Sequence, residues 1–165
     1  MEEAVRGRLD DHNRNKEAVQ SELAQACGAL AKEIDMTEDR LGLDLAKEFE
    51  SEEARLQGLI QNLNCTHQEN SEEGTSQNTT NVSKQSYSVV EDKTSGRLSL
   101  RVTKEETVLR ANGTELADCL VHLAEDHHRS MVTASEELSV KCTHLREEVD
   151  LMKTRINEEL RELFT

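Results

Sequence analysis

The sequence predicts a mainly α-helical protein. We expect two long amphipathic coiled-coil helices, set as an antiparallel hairpin or an oligomeric rod, with a flexible loop and a small β-hairpin inserted between them. Three observations lead to this class. The 165 residues contain no proline, the residue that breaks helix interiors. Apolar residues recur at steps of three and four in both halves of the chain. Aromatic residues make up only 2% of the chain, too few to fill an ordinary compact core.

Residues 2–64 are predicted to form the first coiled-coil helix. The stripe steps by four twice, from Leu41 to Leu45 to Phe49, which indicates a local departure from the heptad repeat. The residues predicted to face a partner helix, here called the helix seam, are Leu23, Leu30, Ile34, Leu41 and Leu45 in this segment.

The segment between the helices changes character twice. Residues 65–84 are almost wholly polar and show no period, so we expect a flexible loop. Residues 85–113 are predicted to hold a small β-hairpin, because apolar and polar residues alternate on either side of a turn at 93–96. Within that span, residues 103–113 suit either a short capped helix or a third strand.

Residues 114–165 are predicted to form the second coiled-coil helix, with Thr114 as its N-cap. Aligning residues 1–50 with residues 116–165, without gaps, gives 12 identical pairs, so we expect the second helix to repeat the first. The helix seam of this segment comprises Leu138, Leu145, Val149, Met152, Ile156 and Leu160.

The charge is concentrated in the predicted helices. Residues 1–64 carry 15 acidic and 8 basic side chains, a net charge of −7, and residues 115–165 carry 12 and 6, a net charge of −6. The whole chain has a net charge of −14. Such a surface repels nucleic-acid phosphates and anionic lipids, so neither nucleic acid nor membrane is expected as a partner. The charged start resembles no signal peptide, which favours a cytoplasmic location.

The sequence gives little support for a catalytic site or a metal-binding site. The sequence has no glycine-rich phosphate loop and no hydrolase or metalloprotease motif. Cys119 and His122 share a helical face, but zinc needs four converging ligands and no CxxC pair is present. We therefore expect no enzyme activity, no catalytic, cofactor-binding or metal-binding residue, no cofactor and no small-molecule substrate.

Four glycosylation sequons and two cysteines keep a second interpretation open. The sequons begin at Asn64, Asn78, Asn81 and Asn112. Cys65 and Cys119 flank the same insertion, and an antiparallel hairpin would bring them near each other. The alternative is therefore an extracellular or surface domain with a glycosylated, disulfide-stapled head.

The leading interpretation is a structural or adaptor protein. Long seams between helices are typical of chains that act as scaffolds or spacers, so we expect protein partners bound through coiled coils, in a homo- or hetero-oligomer. The general pattern is similar to that of cytoskeletal coiled-coil proteins, which implies a cytoskeletal association.

Overall fold

In the computed structural model, which describes residues 2–69 and 78–163, the chain forms two long helices and one two-stranded sheet. Helix α1 spans Glu2–Glu69, strand β1 Asn78–Glu91, strand β2 Leu98–Ala111 and helix α2 Gly113–Leu163. The predicted mainly helical class with a small antiparallel hairpin is confirmed. No described helix combines the length and the apolar composition that crossing a membrane requires.

The two strands pair without interruption. Their register runs from Asn78 opposite Ala111 to Glu91 opposite Leu98, with no bulge. The connecting turn is organised by Asp92, whose carboxylate accepts hydrogen bonds from the Thr94 N–H (2.8 Å) and the Ser95 hydroxyl (3.0 Å). The Thr94 N–H is the main cause that lowers the pKa of Asp92. The turn ends at Gly96, whose φ of 66° lies in the left-handed region that favours glycine.

The predicted bounds of the flexible loop, residues 65–84, are wrong at both ends. Residues 65–69 belong to α1 rather than to a flexible loop, and residues 78–84 are already strand. Residues 70–77, also part of the predicted loop, lie outside the described residues. The polar segment 78–84 forms a strand because its partner on β2 supplies the backbone hydrogen bonds, which no count of polar residues reveals.

Both alternatives for residues 103–113 are also wrong. The segment forms neither a short helix nor a third strand, since β2 continues through it to Ala111. Helix α2 begins two residues earlier than predicted, because Asn112 and not Thr114 is the N-cap. The Asn112 side-chain oxygen accepts a hydrogen bond from the Glu115 N–H at 3.0 Å, and its carbonyl accepts one from the Leu116 N–H at 2.9 Å.

The chain divides into two compact units. The central unit is Asp39–Ser139, and the terminal unit is Met1–Glu38 with Val140–Thr165. Helices α1 and α2 each contribute to both units. The buried apolar residues of the central unit are Leu41, Leu45, Leu56, Val82, Tyr87, Val89, Leu98, Leu116, Leu120, Ala134 and Leu138.

Within the central unit, the two helical segments run in opposite directions beside β1. Leu45 clusters with Tyr87 and Ala134, whereas Phe49, further along α1, stacks on His127, which lies earlier on α2. The hairpin therefore packs on both helices, which supplies the apolar support that an isolated two-stranded sheet lacks in water.

The terminal unit has a smaller buried set. Cys142 and Val149 of α2 are its buried apolar residues among those described. Arg146 donates hydrogen bonds to Asp35, at 2.7 and 3.0 Å, and to Glu38 on α1. Burial raises the pKa of the Cys142 thiol, which keeps it protonated and unreactive at neutral pH.

Candidate functional site

The central unit contains a buried cluster of polar side chains. Gln85 and Tyr87 of β1 and His127 of α2 are each exposed by 6% or less. The Tyr87 hydroxyl lies 2.6 Å from His127 Nε2, and the Gln85 amide nitrogen lies 3.1 Å from the Tyr87 oxygen and 3.3 Å from Glu48 Oε2. The cluster thus links β1 to both helices.

The available donors and acceptors determine the direction of each hydrogen bond in the cluster. Gln85 carries two amide hydrogens, which serve Glu48 and the Tyr87 oxygen. The Tyr87 hydrogen is then free to point at His127 Nε2, which must accept it. We infer that His127 is neutral and carries its proton on Nδ1, the tautomer that this network requires.

The electrostatics of the cluster agree with a neutral pair. Burial, followed by the charges of Glu52 and Glu48, raises the pKa of Tyr87 to about 12. Burial also lowers the pKa of His127, and this effect outweighs the opposing attraction of the imidazolium to Glu52 and Glu53. Neither ring is therefore charged near neutral pH.

Aromatic contacts hold His127 in place from the α1 side. The Phe49 ring stacks on the His127 ring with centroids 4.7 Å apart and planes inclined by 10°. Phe49 also makes an edge-type contact with the neighbouring His128 ring, with centroids 5.8 Å apart and planes inclined by 61°. Phe49 lies on the apolar stripe of the first helix, and it is half-buried as that stripe predicts, whereas its contact with His127 could not be foreseen.

A second polar group lies on the same side of the central unit. Glu52, exposed by only 6%, accepts two hydrogen bonds from Arg55, at 2.6 and 2.9 Å. Arg55 also donates to the carbonyl oxygen of Ser83 on β1 at 3.0 Å. The buried carboxylate is thus paired within its own helix and tied to the strand, which satisfies the requirement for a charge removed from water.

Helix side chains cover the outer edge of β1. The Tyr87 N–H donates to the Ser130 hydroxyl at 2.8 Å, and the Val89 N–H donates to Glu137 at 3.2 Å. With the contact between Arg55 and the Ser83 carbonyl, three backbone groups that point away from β2 have side-chain partners. The β1 edge is therefore covered by helix side chains between Ser83 and Val89.

The hydrogen bonds of the cluster attach β1 to both helices. Across the described residues, no buried side-chain nitrogen or oxygen lacks a hydrogen-bond partner. In the same part of the chain, no three His, Cys, Asp or Glu side chains are grouped as metal ligands would be. A saturated network of this kind fixes the position of β1 on the helices, because every misplaced register leaves a buried polar group unpaired.

The predicted helix-seam residues have unequal environments. Those in the central unit, Leu41, Leu45 and Leu138, are buried. In the terminal unit Val149 is buried, Leu23, Ile34, Leu145 and Leu160 are half-buried, and Leu30, Met152 and Ile156 are exposed by 44%, 50% and 38%. The chain alone therefore leaves part of the seam open to water.

The residues behind the alternative interpretation lie at the surface. Asn64, Asn81 and Asn112 are exposed, and the side chain of Asn78 lies outside the description. Cys65 and Cys119 are exposed free thiols, so the structure contains no staple between them. The burial of Gln85 and Glu52 is not predictable from the sequence, since a polar residue gives no sign of burial until its partners are known.

Comparison of this chain with models of protein families, with curated proteins and with solved structures finds no match.

Proposed function

We propose that this chain is a non-enzymatic scaffold or spacer that associates with protein partners through its helices. The observation that carries the proposal is the exposed part of the helix seam in the terminal unit. Leu30, Met152 and Ile156 continue the stripe whose members are buried in the central unit, yet they remain 38–50% exposed in the single chain. Apolar side chains arranged at seam spacing gain free energy when another helix covers them.

The N-terminal part of α1 extends the same surface. Val5, Leu9 and Val19 lie on the stripe and are exposed by 64%, 58% and 40%. All described side chains before residue 16 are exposed. We expect this helical segment to be only marginally stable in water without a partner, because helices in proteins gain most of their stability from packing.

Static light scattering coupled to size-exclusion chromatography tests the proposal. The full chain is expected to have a mass above the 18.6 kDa of one copy. If it associates only with a different protein, the mass should rise above this value when that protein is added. Leu30→Ser, in the seam, should reduce association. Met36→Ser is the matched control, because Met36 is 66% exposed and lies off the stripe. Equal effects of the two substitutions would contradict the proposal.

Salt dependence separates a homo-oligomer from a hetero-oligomer. Both helical segments are acidic, so pairing two copies brings like charges together and should strengthen as salt screens them. Binding to a basic partner should weaken under the same change. We extend the proposal to the cytoskeletal association that the sequence suggests, which co-sedimentation with assembled filaments measures directly.

The second candidate is a glycosylated surface domain, favoured by the exposure of three of the four sequon asparagines. Its test is mass spectrometry of the protein isolated from its own cells under non-reducing conditions. Glycans on Asn64, Asn81 or Asn112, with a bond between Cys65 and Cys119, would support it. Unmodified asparagines with free thiols would remove it.

A further inference from the structure

The two edges of the β-hairpin differ in their hydrogen bonding. Ser83, Tyr87 and Val89 direct backbone groups away from β2 and onto helix side chains. In an antiparallel pair, directly opposed residues point both toward each other or both away. Because Tyr87 is opposite Val102, the even-numbered residues of β2 must direct their backbone groups away from β1.

That outer edge of β2 has no cover in the described part of the chain. The side chains of residues 103–108 are all exposed. No hydrogen bond to the outward backbone groups of β2, and no ion pair of Lys104, Glu105 or Glu106, occurs among the described residues. A strand of 14 residues with neither bulge nor proline presents a regular row of backbone donors and acceptors, which is a template for another strand.

We propose that this edge binds the same edge of a second copy of the chain, with the two β2 strands antiparallel about a twofold axis at Glu105. The two hairpins then form one four-stranded sheet. This interface lies within the central unit and is separate from the helix seam of the terminal unit.

The charges of β2 select a second copy as the occupant. With the axis at Glu105, Lys104 of each copy faces Glu106 of the other, and the backbone hydrogen bonds form at these even-numbered positions. Val102 faces Val108, and Thr103 faces Thr107. Opposite charges, β-branched pairs and threonine pairs are the cross-strand neighbours that stabilise sheets.

Other registers fit less well. An axis at Lys104 or at Glu106 sets identical charges opposite each other at a hydrogen-bonded site. An axis at Thr103 pairs Arg101 with Glu105 but shortens the overlap from residues 99–111 to residues 98–108. The chosen register does bring the two Glu105 side chains together on the axis. They lie on the other face from Lys104 and Glu106, the face that residues 99, 101 and 103 expose to water, where repulsion is screened.

A charge exchange tests the pairing. Lys104→Glu and Glu106→Lys should each weaken self-association by about tenfold, because each creates two like-charged cross-strand pairs. Mixing the two variants should restore it, since every pair is then complementary. The double substitution in one chain should also restore it. Analytical ultracentrifugation measures all four samples, and failure of the mixture to recover would overturn the proposal.

A cysteine on the axis tests the register. In a background with Cys65→Ser and Cys119→Ser, Glu105→Cys should form a disulfide between copies under mild oxidation, because non-hydrogen-bonded pairs bring Cα atoms to about 4.5 Å. Thr103→Cys is the matched control on the same face. It faces residue 107 and should stay reduced. Cross-linking of Thr103→Cys without Glu105→Cys would overturn the register.

Proline at Val108 separates this interface from the helix seam. The Val108 N–H points away from β1, so proline there should leave the hairpin intact, as on any edge strand, while removing a donor from the interface. Val108→Pro should abolish strand pairing with unchanged circular dichroism, whereas Leu30→Ser should leave the Glu105→Cys cross-link unaffected. Retention of that cross-link in Val108→Pro would overturn the proposal, whatever becomes of the helix association.

Discussion

The hydroxyl of Tyr87 makes two hydrogen bonds in a place where water cannot replace them. It accepts from Gln85 and donates to His127, and all three side chains are buried. Loss of that oxygen leaves an amide hydrogen of Gln85 and a ring nitrogen of His127 unpaired. At the residue scale, the stability of the central unit depends on such pairings as much as on apolar burial.

Tyr87→Phe is therefore expected to lower the free energy of unfolding by about 1–3 kcal/mol, the typical cost of unpaired buried polar groups. Urea denaturation followed by circular dichroism measures it. Ser88→Ala is the control, since Ser88 is half-buried on the next position of β1 and its change should stay within about 0.5 kcal/mol. A Tyr87→Phe protein as stable as the control would show that the network contributes nothing.

His127 is expected to make the protein acid-sensitive. Burial lowers its pKa in the folded state below the usual value of 6.5, so the unfolded state binds more protons between the two pKa values. The contribution of neutral His127 to the free energy of unfolding is therefore fully present above pH 6.5. It is lost as the pH falls from 6.5 through the lower pKa of the folded state. Arg55 and His128 act in the same direction as burial, whereas Glu52 and Glu53 oppose it.

Denaturation curves collected between pH 7.5 and pH 5 measure this dependence. His127→Asn removes the titrating group, so its stability should change less with pH than that of the unaltered protein. The remaining described histidines are common to both proteins and cancel in the comparison. Stability that rises on acidification would contradict the neutral assignment of His127.

At the scale of the elements, α2 begins where Asn112 can cap it. The Asn112 oxygen bonds to the Glu115 N–H, and Thr114 lies inside the first turn. Asn112 is also the first residue of a glycosylation sequon, so the same residue serves as the N-cap and as the candidate glycosylation site. Two substitutions separate these roles, because only one of the two residues caps the helix.

Asn112→Ala is expected to destabilise the protein by about 1 kcal/mol, the usual cost of losing an N-cap. Thr114→Ala also destroys the sequon but leaves the cap, so it should cost much less. Thermal denaturation of protein that carries no glycan compares the stabilities of the two variants. A larger loss for Thr114→Ala would restore Thr114 as the cap, as first predicted from the sequence.

Elements stabilised by periodic burial could be predicted, and those stabilised by pairing could not. The helices follow from steps of three and four and from the absence of proline. The ends of the strands do not, because residues 78–84 and 103–111 are mostly exposed and polar. What holds them is the uninterrupted ladder between β1 and β2, a contact between segments far apart in the sequence.

At the scale of the whole molecule, the predicted helix-seam residues are buried to different extents in the two units. Leu45 of the central unit is 3% exposed, whereas Leu30 of the terminal unit is 44% exposed. The predicted repeat sets Cys27 equivalent to Cys142, yet the first is half-buried and the second fully buried. The repeat stays a prediction, and the environments of its two copies are not alike.

Leu45→Ala is expected to cost about 2–5 kcal/mol, because it opens a cavity in the cluster with Tyr87 and Ala134. Leu30→Ala should cost little in a dilute sample of single chains. In a concentrated sample its cost should grow, if the seam is covered by a second helix. Chemical denaturation at two protein concentrations measures both variants, and a Leu30→Ala effect independent of concentration would argue against helix association.

The sequence by itself determined the helical class, the two long helices and the presence of a hairpin, because these depend on local periodicity and backbone chemistry. It also placed Phe49 on the apolar stripe of the first helix. Only the tertiary structure decided which polar residues are buried, how far the strands extend, and which edge of the sheet is open. Those properties depend on which surfaces meet, and a buried Gln85 or an uncovered β2 has no signature in its own neighbours along the chain.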